Sequence, residues 1–418
     1  MNKTILLCFA LAYLVSCTQQ ETILFTAKPE KVGLSPDRLN KIKPLMQRYV
    51  DENKLPGMIT MVARHGKVVY SEAFGLMDAG KPMQLNAIFR IASMTKPITS
   101  VAIMILYEEG YFQLDDPVSR YIPEFKDIKV FSFKDKNGIH VEDQKKPMTI
   151  SDLLTHTSGL GSGVENNPVD SIYRAENLSD GTLKDMIHKL ADIPLLYQPG
   201  TRWKYGRSTD VLAHLIEVIS GKPFDIFLKE RIFTPLKMKD TDYYVPKEKL
   251  NRVSAVYGLA DNAGIEVLMN PEINNVSVPV KFLSGNGGLV STATDYMIFS
   301  QMLLNKGEYD GVRLLESKTV DLMTSNHISN EIMPADEFFG PMLSGMGFGF
   351  GVAVIQENIQ PKTIGSKGSY WWSGAANTYF FIDPKEELIL ILMTQFVPSL
   401  YYPVNKEFRE LVYQSIVD

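Results

Sequence analysis

The chain has 418 residues, 45% of them hydrophobic and 22% charged, with a net charge of −5 and a pI of about 5.8. That is ordinary globular composition, long enough for one large core or two lobes. Lys and Arg are scattered along an acidic chain, which excludes a nucleic-acid surface.

The first stretch reads as a processing signal. Lys3 supplies a short positive region, and residues 5–14 form an apolar run too short to cross a bilayer. It ends in Leu14-Val15-Ser16-Cys17, followed by the polar Thr18-Gln19-Gln20-Glu21-Thr22. This resembles a bacterial lipobox, in which cleavage before the cysteine accompanies lipidation of its thiol. Residues 1–16 are therefore expected to be a lipoprotein signal peptide, Cys17 the lipidated residue and 17–26 a tether. The protein would be exported and lipid-anchored to a bacterial membrane, facing the periplasm or the cell surface. The plainer alternative is a secretory signal with an incidental cysteine. Both cysteines, Cys8 and Cys17, lie here, so the rest of the chain has no disulfide framework and no cysteine metal site.

Residues 36–50 carry apolar Leu39, Ile42, Leu45 and Met46 at helical spacing. Residues 57–75 contain two β-rich runs around Arg64-His65-Gly66-Lys67, a hairpin signal. Then comes Ile91-Ala92-Ser93-Met94-Thr95-Lys96-Pro97, leading into the apolar run 101–106 and a stop at Gly110. In a helix, positions i and i+3 share a face, so Lys96 can reach Ser93. Pro97 fits only a first helical turn, which places Ser93 at the helix N-terminus, where N–H groups favour negative charge. A buried lysine beside a serine hydroxyl can take its proton and make it a nucleophile. On its own, a serine three residues before a lysine is more often a solvated helix face.

Residues 126–147 are polar, with Asn137-Gly138 as a turn signal, and read as an exposed loop or small excursion. Residues 149–160 read as a capped short helix ending in a turn. Helices are expected at 183–190, 211–219, 296–304 and 317–323. From residue 348 the period changes. Strands are expected at 350–355, 377–382 and 388–393, with Asp383-Pro384-Lys385-Glu386 as a turn, and a last helix at 405–416.

Two stretches could complete a site around Ser93. In Pro199-Gly200-Thr201-Arg202-Trp203-Lys204-Tyr205 a turn leads to a phenol that could shuttle a proton beside a lysine. The chain has 19 tyrosines, so packing is the stronger expectation for Tyr205 from sequence alone. In Trp371-Trp372-Ser373-Gly374-Ala375, expected to open an edge strand, the Ala375 N–H could join the Ser93 N–H in holding an oxyanion. The plainer reading makes both tryptophans core.

Ser93-x-x-Lys96, Tyr205 and Trp372-Ser373-Gly374 occur in the order found in the serine β-lactamase and penicillin-binding protein superfamily. The chain resembles its class C-related branch, above all the family VIII carboxylesterases, from about residue 27 onward. The likeness extends to residues 149–160, Asp210-Val211-Leu212 and residues 287–295. The resemblance implies an α/β (α+β) fold: an antiparallel sheet flanked by helices, from residues 27–92 and 340–418, and a mainly helical lobe from 93–339, together one catalytic domain over 27–418. It implies Ser93, Lys96 and Tyr205 as catalytic residues, and Ala375, Gly374, Ser373, Trp372 and Arg207 around the substrate. Arg207 stands where the lactamase pattern has asparagine, and Trp372 where it has lysine. Both departures weigh against efficient lactam binding, and an aromatic wall suits an uncharged group.

Among the six histidines, none shows metal spacing, so no metal or other cofactor is expected. His156 near Ser158 is better read as a turn than as a catalytic pair. No G-x-S-x-G occurs, against an α/β-hydrolase. Gly285-Asn286-Gly287-Gly288 lacks the lysine of a phosphate loop and reads as a turn beside the cleft. The expected function is a serine hydrolase that acts on a small-molecule ester or amide. Carboxylic esters come first. A β-lactam, or the peptide substrate of a D,D-peptidase or D-aminopeptidase, is the alternative, and a non-catalytic penicillin-binding-like receptor the third reading.

Overall fold

The run Leu388-Ile389-Leu390-Ile391-Leu392-Met393 is apolar at every position, which suits a strand covered on both faces. In the computed structural model, which describes residues 24–261, 264–270, 276–329, 331–332, 343, 345–356 and 364–418, it lies in the middle of the main sheet. Among the described residues that sheet has eight strands: β1 Gly57–Arg64, β2 Lys67–Asp78, β3 Lys81–Pro82, β4 Met346–Phe348, β5 Ala353–Ile355, β6 Tyr370–Ser373, β7 Tyr379–Asp383 and β8 Leu388–Thr394. Their spatial order is β4-β5-β6-β7-β8-β1-β2-β3, and every pairing is antiparallel. The β1–β2 turn is made by His65 (φ 50°) and Gly66 (φ 72°), the left-handed pair that a two-residue hairpin turn needs.

Every residue of β1 and β8 is buried. Helices α1 (Pro36–Leu39), α2 (Ile42–Asp51) and α11 (Val404–Gln414) pack together beside β2, and α9 (Ala293–Leu304) lies across β7, β8 and β1. Between them α3 (Thr95–Glu108) is buried from Thr95 to Leu106, as a helix with apolar residues all round must be. It packs on α7 (Ser208–Ser220), around which α4 (Ile150–Leu154), α6 (Leu183–Ala191) and α8 (Phe224–Leu228) gather. Among the described residues the middle region also has the α-helices α5 (Pro168–Ala175) and α10 (Ser317–Met323). One continuous apolar core runs through sheet and helices.

Several expectations need correction. The helix read over 36–50 is two helices, because Pro44 has no N–H to donate and its ring would clash with the Asn40 carbonyl. The strand read over 350–355 is only Ala353–Ile355. Gly351 (φ 81°) turns the chain there, and the Gly349 N–H donates to Val352 O at 2.8 Å, so residues 349–352 join β4 to β5. That hairpin extends the sheet past β6, which is therefore an interior strand and not an edge. Residues 126–147 hold a hairpin, Val130–Asp135 with Gly138–Glu142, so of the two readings it is a small excursion and not a plain loop. The expected signal stretch and Cys17 lie outside the described residues.

Candidate active site

Ser93 lies in the 3-10 turn Ala92–Met94, immediately before α3. Ala92 is held at φ 44°, an uncommon conformation for a residue with a Cβ. The turn is pinned from β6's side: Thr378 Oγ1 donates to Ile91 O at 3.1 Å. Gly374 packs so closely that a Cβ on it would lie 2.5 Å from the same carbonyl oxygen.

Lys96 is one turn on and 1% exposed. Its Nζ lies 3.3 Å from Ser93 Oγ and donates to Asn286 O at 2.7 Å. Burial lowers this amine to about 7, Asp210 pulling against the shift and Arg207 adding to it. Tyr205 arrives from the segment before α7, with the Lys96 Nζ 4.3 Å from its ring centre. Tyr205 is half-buried, and its hydroxyl is hydrogen-bonded to Ser93. Burial raises the phenol well above its ordinary value, so Tyr205 is neutral and Lys96 is the stronger candidate base.

The structure therefore brings Ser93, Lys96 and Tyr205 together. It treats the other expected residues unequally. Trp372 is 1% exposed, its ring 5.6 Å from that of Tyr205 and 5.5 Å from that of Phe348, so it backs the tyrosine instead of forming an open wall. Ser373 is half-buried, Gly374 buried and Ala375 exposed at the end of β6. Arg207 is turned toward Asp210, with Nη1 3.1 Å from Oδ2. His156 is buried among Tyr205, Trp203 and Phe348 and makes no pair with Ser158, whose hydroxyl bonds Ser208 at 2.8 Å.

Two residues without an expected role complete the arrangement. Asn286 presents its carbonyl to Lys96 from the turn at 285–287. Asp210, fully buried, accepts from Asn286 N at 2.9 Å and from Ser284 Oγ at 2.7 Å. Thr99 Oγ1 donates to Gly285 O at 2.9 Å, tying the same turn to α3. The glycines of residues 285–288 were the available signal: a Cβ on Gly285 would lie 2.4 Å from Thr209 O. Among the described residues, no three His, Cys, Asp or Glu side chains group as a metal site needs.

A family model described as beta-lactamase matches residues 42–414. The chain belongs to the beta-lactamase family. Protein Rv1367c of Mycobacterium tuberculosis (strain ATCC 25618 / H37Rv) is 34% identical over 364 residues, covering 85% of this chain and 89% of that protein. Esterase EstB of Burkholderia gladioli is 28% identical over 396 residues, covering 89% of this chain and 94% of that one. Among solved structures, EstCE1, a hydrolase with promiscuous acyltransferase activity, superposes with a TM-score of 0.78 at 26% identity, covering 90% of this beta-lactamase-family chain and 99% of its own. The fold is the beta-lactamase/penicillin-binding-protein fold, and the chain is a serine hydrolase.

Proposed function

We propose that this hydrolase cleaves carboxylic esters through an acyl-enzyme on Ser93. The observation that carries the reading is the convergence of the Ser93 hydroxyl, a lysine lowered to about 7 and a neutral tyrosine bonded to that serine. Ser93 Oγ bonds to the ester carbonyl carbon while its proton passes to Lys96. The Ser93 and Ala375 N–H groups hold the oxyanion. As the tetrahedral adduct collapses, the alkoxide leaves with the Tyr205 proton, and the Lys96 ammonium restores the phenol. Water then adds to the acyl carbon, giving its proton to Lys96, and the acid departs as Ser93 regains its hydrogen.

Esters are favoured over lactams because no lysine stands at position 372 and Arg207 is already paired with Asp210, which leaves little to hold a lactam carboxylate. The similarity to esterase EstB points the same way. Protein lacking residues 1–17 is expected to cleave short p-nitrophenyl esters, and Ser93→Ala to lower kcat by about 10³-fold or more. Undiminished turnover by that variant would remove the serine from the mechanism. A nitrocefin kcat/KM well above the ester value, or faster release of D-alanine from a D-alanyl peptide, would replace esters as the substrate. We also propose lipidation at Cys17; labelled palmitate should enter the wild-type protein in cells and not Cys17→Ser.

A further inference from the structure

Arg207 is this chain's own departure from the pattern around Tyr205, and its neighbours give it a task. It precedes α7, three residues before Asp210, and its guanidinium lies 3.1 Å from that carboxylate. Asp210 has no exposed surface, and its other oxygen holds Asn286 N at 2.9 Å. The Asn286 carbonyl in turn receives Lys96 Nζ at 2.7 Å, and the Asn286 side-chain amide donates to Gly206 O at 3.0 Å. A continuous path thus runs from Arg207 through Asp210 and Asn286 to the amine. The buried carboxylate is the anchor of the turn that aims Asn286, yet a negative charge so placed favours the ammonium form of Lys96.

We propose that Arg207 is a positioning residue that offsets the Asp210 charge, so that Asp210 can fix the Asn286 carbonyl on Lys96 without keeping the amine protonated. The inference rests on the reading of Lys96 as the base that takes the Ser93 proton. The charged and titratable groups facing Lys96 are Ser93 from its own helical start, Tyr205, Arg207 and Asp210 from the α7 side, and His156 from the segment after α4. His156 is held neutral by burial and by Lys96 itself, so Arg207 and Asp210 are the two charges that can be altered independently. Their influences on Lys96 oppose each other, with that of Asp210 the larger.

The test follows the rate at which a fluorophosphonate probe labels Ser93 between pH 5 and 10, each protein measured against its own plateau. The wild-type rate is expected to rise with a limb near 7. Arg207→Asn should move that limb up by about one pH unit, so that labelling at pH 6 falls about tenfold relative to plateau. Arg207→Lys should restore the wild-type limb. Arg207→Asn combined with Asp210→Asn removes both charges and should carry the limb below wild type. Opposite shifts in the single and double variants are not a result that loss of packing alone gives. An unmoved limb in Arg207→Asn, or an upward shift in the double variant, overturns the proposal. Should Arg207→Asn not fold, the direction of the double variant decides. A wild-type rate with no limb near neutral pH, or Lys96→Met labelled as fast as wild type, would instead sink the assignment of Lys96 as base.

Discussion

Lys96, the proposed base, is costly to its fold. An amine shifted from its ordinary 10.5 to about 7 by burial is destabilising by roughly 5 kcal/mol when the pH is below both values, and by roughly 4 kcal/mol at pH 7. Methionine has similar bulk and no charge, but it leaves the Asn286 carbonyl without the donor now 2.7 Å away, a loss of about 1–3 kcal/mol. The first effect is the larger, so Lys96→Met should be inactive yet more stable by about 2 kcal/mol at pH 7. The sign with pH follows. Between about 7 and 10.5 the unfolded chain binds the proton that the folded amine has released, so the wild type gains stability as pH rises through that window. Urea titrations at pH 7 and pH 10 should show the advantage of the variant shrinking; a variant less stable at both would contradict the burial cost. Ser93 and Lys96 stood out in the sequence by their chemistry and spacing, whereas Tyr205, one tyrosine among 19, stood out only through the order of motifs that the resemblance rests on. Asn286 did not, since it acts through a carbonyl that every residue carries. Asp210 did not, since its role depends on a turn about 75 residues away meeting the start of α7.

The elements around the serine turn set its geometry, and β6 is the one most exposed to test. Gly374 follows β6 with the Ile91 carbonyl and the Thr378 hydroxyl against its Cα; an added Cβ would lie 2.5 Å and 2.2 Å from those oxygens. Neither contact can yield without moving the end of β6 or the turn that carries Ser93. Gly374→Ala should therefore separate the two proposed oxyanion donors and lower kcat for an ester about 100-fold, with KM changed much less. Steady-state kinetics on the folded variant check this, and a kcat within threefold of wild type would show that Ala375 is not a donor. At this scale the sequence was read well where a local rule governs. The β1–β2 hairpin has its left-handed turn pair, and α4 has the capping box of Thr149 and Asp152 expected from residues 149–160. It was misread where a distant partner governs. Trp371 and Trp372 look like the start of an edge strand until β4 and β5 pair beyond them, and nothing local announces that pairing.

The whole molecule joins both ends of the chain in one sheet: β1 lies between β2 and β8, and Leu34 bridges to Ile416. Arg64, at the end of β1, is the fastening. It is 4% exposed, and its guanidinium donates to Val32 O at 2.9 Å, Gly33 O at 3.1 Å, Glu386 O at 3.1 Å and Asp418 Oδ1 at 2.7 Å. It also pairs with the Glu386 carboxylate at 3.1 Å. The sheet register places this cluster far from the chemistry. Arg64 faces Leu388, which faces Asp383, whereas Ser373 faces Tyr379, which faces Leu392, at the other end. Arg64→Met should therefore separate stability from activity. The buried Val32 carbonyl loses its donor, which costs about 1–3 kcal/mol, while the Gly33 carbonyl keeps the Val417 N–H at 3.0 Å. The two carboxylates add little, because Asp418 is 52% exposed and Glu386 23%, and water screens both. The urea midpoint should fall by the equivalent of about 2 kcal/mol with its slope unchanged, while kcat/KM for an ester stays within about twofold at 25 °C. If activity fell tenfold in protein that is still folded, the two ends of the sheet would be coupled, and the site would depend on how Arg64 holds Val32, Gly33 and Asp418.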